Sequence, residues 1–221
     1  MNKNVERAKE LVPAIILTIL SMIQALALEL FWSKIEASSF LWAGGWDAAI
    51  GWLQMAVVLV GILLIWVFYV SFVLRFSWLP TLEDTLIPFL IGLLEFAMID
   101  ITYPHLLGPW FLVLALVYGI TTATTHVTMR RARRDPANEY FFSKTGPASW
   151  RDYRATVSAV SILAVTGVVL WVIESNHYFS LGALLIALFA MFYQFIQSKR
   201  YWMHSLVMEE AGPESAPGDE E

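Results

Sequence analysis

The chain has 221 residues, of which 58% are hydrophobic and only 15% charged, with a mean hydropathy of +0.61. Soluble domains of this length are nearer half apolar and a quarter charged, so the composition excludes an ordinary water-soluble domain. Cysteine is absent, which excludes disulfides, thiolate metal sites and cysteine nucleophiles, and the net charge of −5 says little because the C-terminal "EEAGPESAPGDEE" carries six of the 19 acidic residues.

The apolar residues gather into blocks of about 20, the length that crosses a ~30 Å hydrocarbon core as a helix. Six such blocks predict an all-α integral membrane protein: about 11–32, 48–74, 85–102, 107–129, 153–174 and 179–203. They form a transmembrane domain over 11–208, between an N-terminal segment, 1–10, and an acidic disordered tail, 209–221. The first block follows Lys3, Arg7 and Lys9. Its basic start and the later "ALA" also fit a cleaved signal over residues 1–27, but the apolar run continues through "LELFW". Within it Thr18, Ser21, Ala25 and Glu29 recur at helical spacing with Gln24 on their shoulder, predicting a polar stripe turned toward a cavity or another helix.

Asp47 is placed to cap the second span, and Thr81 or Asp84 to start the third, with Pro88 in its first turns. That third span, "TLIPFLIGLLEFAMIDITYP", sets Glu95 among oily neighbours. Counting from Asp84 at 1.5 Å per residue puts Glu95 about 16 Å deep, near mid-bilayer. A charge there costs about 2.5–3.5 kcal/mol even on the lenient insertion scale. No Lys or Arg lies at its level; Ser21, Gln24, Tyr118 and Thr166 do. "YPHLLGP" turns the chain into the fourth span, whose far end, "TTATTHVTMRRARRD", is the most polar helix end and contains His126, a candidate proton relay. Ser149 with Asp152 resembles a capping box for the fifth span, and Asn176 is placed to end it. The sixth has no breaker before Gly212 and carries Ala183, Ala187 and Ala190, small residues suited to close packing and to a homodimer.

With alternating spans, 13 of the 14 basic residues fall on one side and only Lys34 on the other. The positive-inside bias makes the larger group cytoplasmic, with both termini inside, in the plasma or inner membrane. Trp32, Trp42, Trp46, Trp52, Trp110 and Trp171 mark the outer boundary; Trp78, Trp150 and Trp202 mark the inner one. Arg130, Arg131, Arg133 and Arg134 suit anionic lipid headgroups rather than nucleic acid, at about 1 kcal/mol each near a charged surface.

The candidate substrate- or ion-binding residues are Glu95, Gln24, Ser21, Glu29, Tyr118 and Asp100. Glu29, Glu36, Asp47, Asp100, Glu174, His105 and His177 share the outer level, where a solvated acidic rim is expected rather than a metal site, since no pair has helical ligand spacing. No P-loop, GxGxxG, HExxH or serine-nucleophile motif occurs, and no cofactor or enzymatic activity is expected. The leading expectation is a small proton- or cation-linked transporter or channel subunit using Glu95. The alternatives are a scaffold or regulator that docks a partner or anionic lipid through the basic 130–154 loop, and a membrane-embedded lipid-modifying enzyme using Glu95, Asp100 or His126.

Overall fold

The computed structural model describes residues 3–79, 81–144, 150–173 and 176–210, and all regular structure among them is helical. Seven α-helices follow in order: α1 (Lys3–Ala37), α2 (Gly45–Arg75), α3 (Leu82–Asp100), α4 (Leu107–Ala132), α5 (Glu139–Lys144), α6 (Trp150–Val172) and α7 (His177–Glu210). Single 3-10 turns at 39–41, 104–106 and 136–138 join α1 to α2, α3 to α4 and α4 to α5.

Among the described residues five stretches are long and apolar enough to cross a membrane, within α1, α2, α4, α6 and α7. The expected third span, α3, has 19 residues but carries Glu83, Asp84, Glu95 and Asp100, so its composition alone does not qualify it. The first helix is longer than the apolar pattern predicts, because Lys3–Glu10 continues it at one end and Ser33–Ala37 at the other. The short α5 was not visible in the apolar pattern. Glu174, the Ser149 cap and the tail beyond Glu210 lie outside the described residues.

Local chemistry sets most boundaries. Gly44 and Gly45 adopt φ of 77° and 80°, a region open to glycine, and start α2 three residues before the expected site, so that Asp47 falls in its first turn. At α3 the expected signal operates: the Asp84 carboxylate accepts the Thr81 backbone N–H at 2.8 Å and its hydroxyl at 3.3 Å. Asn176 does not end the fifth span. Its Oδ1 accepts the Tyr178 N–H at 3.0 Å and its carbonyl accepts the Ser180 N–H, so it opens α7 instead.

Helix α4 lies along α6, α2 along α7, and α1 packs on both α3 and α2; α6 and α7, although consecutive, touch little. Two of these contacts depend on glycine. A Cβ on Gly92 would stand 2.3 Å from Ile23 Cγ2, and one on Gly108 would stand 2.6 Å from the Trp171 backbone nitrogen. The main core joins Ala27, Ile50, Ile62, Ile99, Trp110 and Leu184 from five helices. Trp110 and Trp78 are thus buried packing residues rather than members of boundary belts, whereas Trp32, Trp42, Trp46 and Trp171 are exposed. Ala187 packs into this core, while Ala190 faces outward.

Both ends of the bundle are tied. At one, the connector after α2 meets the connector after α4: buried Asn138 donates to the carbonyls of Ser77 and Ala132 and accepts the Ser77 N–H. Phe76, Trp78 and Ala132 pack beneath it, and Lys9 pairs with Asp135 at 2.5 Å. At the other, Lys34 donates to the Asp100 carbonyl at 2.6 Å and lies over the Tyr103 ring.

Candidate functional site

Glu95 is buried, 4% exposed, on the face of α3 that meets α1 and α4. One turn before it, Gly92 lets α1 approach closely enough for Gln24 to reach it. The Gln24 amide Nε2 donates to both carboxylate oxygens, at 2.9 and 3.2 Å. Gln24 is equally buried, and its own Oε1 has no partner. Among the described residues no Lys or Arg pairs with either side chain: Lys34 of α1 binds the Asp100 carbonyl, five residues on along α3, and Arg131 of α4 binds the carboxylate of Asp84 at 2.9 and 3.0 Å, 11 residues back.

Glu95 also lines a cavity of about 440 Å3. Helix α2 supplies an apolar wall that includes Val57, Gly61 and Ile65, and α7 supplies Met191 and Gln194. The polar side is built by α4: Tyr118, Thr121, Thr122, Thr125 and His126 recur at three- and four-residue spacings and so share a face. Each threonine turns its hydroxyl proton back to the carbonyl one turn earlier, Thr121 to Val117, Thr122 to Tyr118 and Thr125 to Thr121, all at 2.8 Å. A second cavity, about 60 Å3, shares Ile65, Phe68, Thr121 and Thr125 with the first and extends to Asp84. A polar seam therefore runs along α4 from Glu95 toward the Asp84–Arg131 pair.

Of the six predicted binding residues, the structure brings together Glu95, Gln24 and Tyr118. Ser21 belongs elsewhere: its hydroxyl donates to the Leu17 carbonyl and accepts from the Trp66 indole. Glu29 and Asp100 are exposed, and neither they nor Thr166 line the cavity. The expected polar stripe of α1 is turned the other way: Thr18, Ala25 and Glu29 face outward, and only Gln24 on its shoulder enters the bundle. Gln194 and Met191 were missed; the sequence signal for them is weak, a single amide in an aromatic helix end.

The four arginines have different surroundings. Arg131 is held by Asp84, by the Thr81 hydroxyl at 2.8 Å and, at 3.4 Å, by Glu83. Hydrogen bonds from Thr81 and from the α3 backbone, helped by Arg131, hold the Glu83 carboxyl below its usual range. Arg133 covers the Phe142 ring at 4.5 Å. Arg130 and Arg134 are exposed.

At the opposite end, Asp47, Tyr103, His105 and His177 border a separate pocket of about 250 Å3, where Trp46 stacks on His177. Among the described residues no three His, Asp or Glu side chains are placed to share a metal ion. Comparisons with protein families, with curated proteins and with solved structures give no match.

Proposed function

We propose that the chain is a six-span membrane protein, a small transporter or channel subunit that binds protons or cations at Glu95 and passes them along the α4 seam. The observation that carries this reading is a buried carboxylate with no Lys or Arg paired to it among the described residues, facing a cavity whose polar wall continues to Asp84. In hydrocarbon a charged Glu95 is costly, by about 2.5–3.5 kcal/mol, so it is stable only with a proton or a counter-ion, and a mobile one satisfies it as well as a fixed one. Tyr118 and His126 are the other titratable groups on the described lining; α2, α6 and α7 contribute none.

The ties at the two ends support α3 as the sixth crossing. Its first turn is bonded to Arg131, near the end of α4, and its last carbonyl to Lys34, near the end of α1. A helix so anchored is held at each end against a neighbour that is itself long enough to span. The end bearing Arg75 and Arg130–Arg134 is then cytoplasmic, with both termini, in the plasma membrane. The exposed Arg130 and Arg134 are the residues left for anionic headgroups.

The test is proton movement in proteoliposomes with a trapped pH dye, driven by a potassium potential set with an ionophore. Wild type is expected to exceed protein-free vesicles several-fold, and Glu95→Gln, inserted to the same level, to match them. Equal rates in the two proteins would end the reading.

A further inference from the structure

We infer that the 440 Å3 cavity takes a lipophilic amine: an apolar body with a protonated nitrogen directed at Glu95. The inference rests on the proposed exchangeable role of Glu95 and adds the chemical class of what exchanges there.

The volume falls in the range of small-molecule sites, about 300–1,000 Å3. It is far larger than a proton or a bare metal ion needs, and most of its lining is aliphatic or aromatic. What selects the head of such a ligand is the hydrogen-bonding sense of the polar wall. Thr121, Thr122 and Thr125 have spent their only protons on helix carbonyls, so toward the cavity they offer oxygen lone pairs. Ionised Glu95 is an acceptor, and the Gln24 Oε1 beside it is a buried acceptor with no donor. Tyr118 is the donor on this wall besides His126; the other lining groups able to donate, Thr156 and Gln194, stand across the cavity on α6 and α7. The wall along α3 and α4 is therefore short of donors, and it is negatively charged once Glu95 has released its proton. An ammonium group brings three N–H donors and a positive charge; a carboxylate head brings neither, and an alcohol brings a single donor and no charge.

The surroundings fit the same class. The Tyr118 and Phe68 rings border the cavity and can face a cation. The two helices flanking its remaining side, α6 through Thr156 and α7 through Met191 and Gln194, touch each other little. An amphiphile already dissolved in the bilayer thus has a lateral approach that a water-borne ion does not use.

The experiment is a head-group series at neutral pH: octylamine, octanol and octanoate, titrated calorimetrically into the full chain in zwitterionic lipid nanodiscs, with empty nanodiscs subtracted. Octylamine is expected to bind at least ten-fold more tightly than octanol, with no heat from octanoate. Glu95→Gln is expected to lose the preference for the amine, and Glu95→Asp to keep it. The inference is overturned if octanol or octanoate matches octylamine in the wild-type chain, or if Glu95→Gln keeps the amine preference. Should Glu95→Gln fail to fold, the wild-type series alone decides. Absence of amine preference with Glu95-dependent proton movement intact removes the ligand class and leaves the transport reading. Amine selectivity without such proton movement upholds the ligand class and removes transport.

Discussion

Gln24 and Glu95 stand 71 residues apart and meet only because α1 and α3 touch at Gly92. Sequence alone placed the two at one depth, and that estimate used only helix rise and span order. It could not separate Gln24 from Ser21, because depth is blind to the azimuth of a helix. Facing was misread on α1: the residues Thr18, Ser21 and Glu29 formed the more regular stripe, yet Thr18 and Ser21 satisfy themselves by bonding back to Ala14 and Leu17. A polar side chain that closes on its own backbone need not face the interior. Gln24 cannot do this as readily and takes a partner on another helix. The pair predicts strong coupling. Gln24→Leu and Glu95→Leu are each expected to change thermal stability in detergent, the first costing about 1–3 kcal/mol by leaving a buried acceptor unpaired, and the double variant to cost less than the sum. Additive losses would show that the two side chains do not meet. The arginines give a sharper contrast. Arg131→Ala leaves Asp84, 8% exposed, without its cation and is expected to cost about 2–4 kcal/mol, below the fully buried range because Arg131 itself is 28% exposed in its side chain. Arg130→Ala is expected to leave the melting temperature within a degree or so, since an exposed charge contributes little to folding. A similar loss in both would mean that Arg131 is not the structural member of the group.

At the scale of helices, the apolar blocks located the long rods because hydrocarbon length fixes how many residues a span needs. The ends were less legible. Asp47 looked like a cap, but Gly44 and Gly45 turn the chain before it; Asn176 looked like a stop and is a start. Single polar residues near a helix end do not state a direction, and a connection as short as that between α6 and α7 lets one residue serve either helix. Neighbour choice was also hidden. The pairing of α4 with α6 is written in Gly108 and Gly167, where a Cβ on Gly167 would lie 2.9 Å from Leu112 atoms and 3.0 Å from the Gly108 carbonyl oxygen. Nothing in one sequence tells such a glycine from Gly182, which has open space around it. The two kinds should separate on substitution. Gly108→Ala and Gly92→Ala are expected to destabilise by about 1–3 kcal/mol through overpacking. Gly182→Ala is expected to be neutral or to stabilise by up to about 1 kcal/mol, because alanine fits the helical backbone and leaves the unfolded chain less conformational freedom. Thermal melting of the three purified variants decides the matter, and a Gly92→Ala protein as stable as wild type would remove the close approach that brings Gln24 to Glu95.

For the whole molecule, the site exists only where α2, α3, α4, α6 and α7 converge, with Gln24 of α1 behind Glu95, which is why composition could nominate Glu95 but not its cavity. The α2 wall is featureless in sequence, and α7 contributes one amide at a point that the apolar pattern assigns simply to span. The lack of cysteine turns this into a measurable map, since every introduced thiol is unique. Ser39→Cys lies in the exposed turn after α1, and Ala137→Cys in the turn after α4. In intact cells a membrane-impermeant thiol reagent is expected to label the first and spare the second, and to reach the second once the membrane is opened. Leu79→Cys, exposed in the connector that Asn138 ties to the α4 end, should behave as Ala137→Cys does. If Leu79→Cys labels from outside while Ala137→Cys does not, the connectors are on opposite faces and the shared Ser77–Asn138 bonding is wrong. Depth is read from the same series. Thr125→Cys lines the cavity and is expected to react from the cytoplasmic side, whereas Val165→Cys, on the outward face of α6, should stay unreacted in lipid. An unreactive Thr125→Cys beside a reactive Ala137→Cys would mean that the seam along α4 is dry. A dry seam offers no water to carry a proton between Asp84 and Glu95, and the buried carboxylate would then serve only to hold α1 against α3.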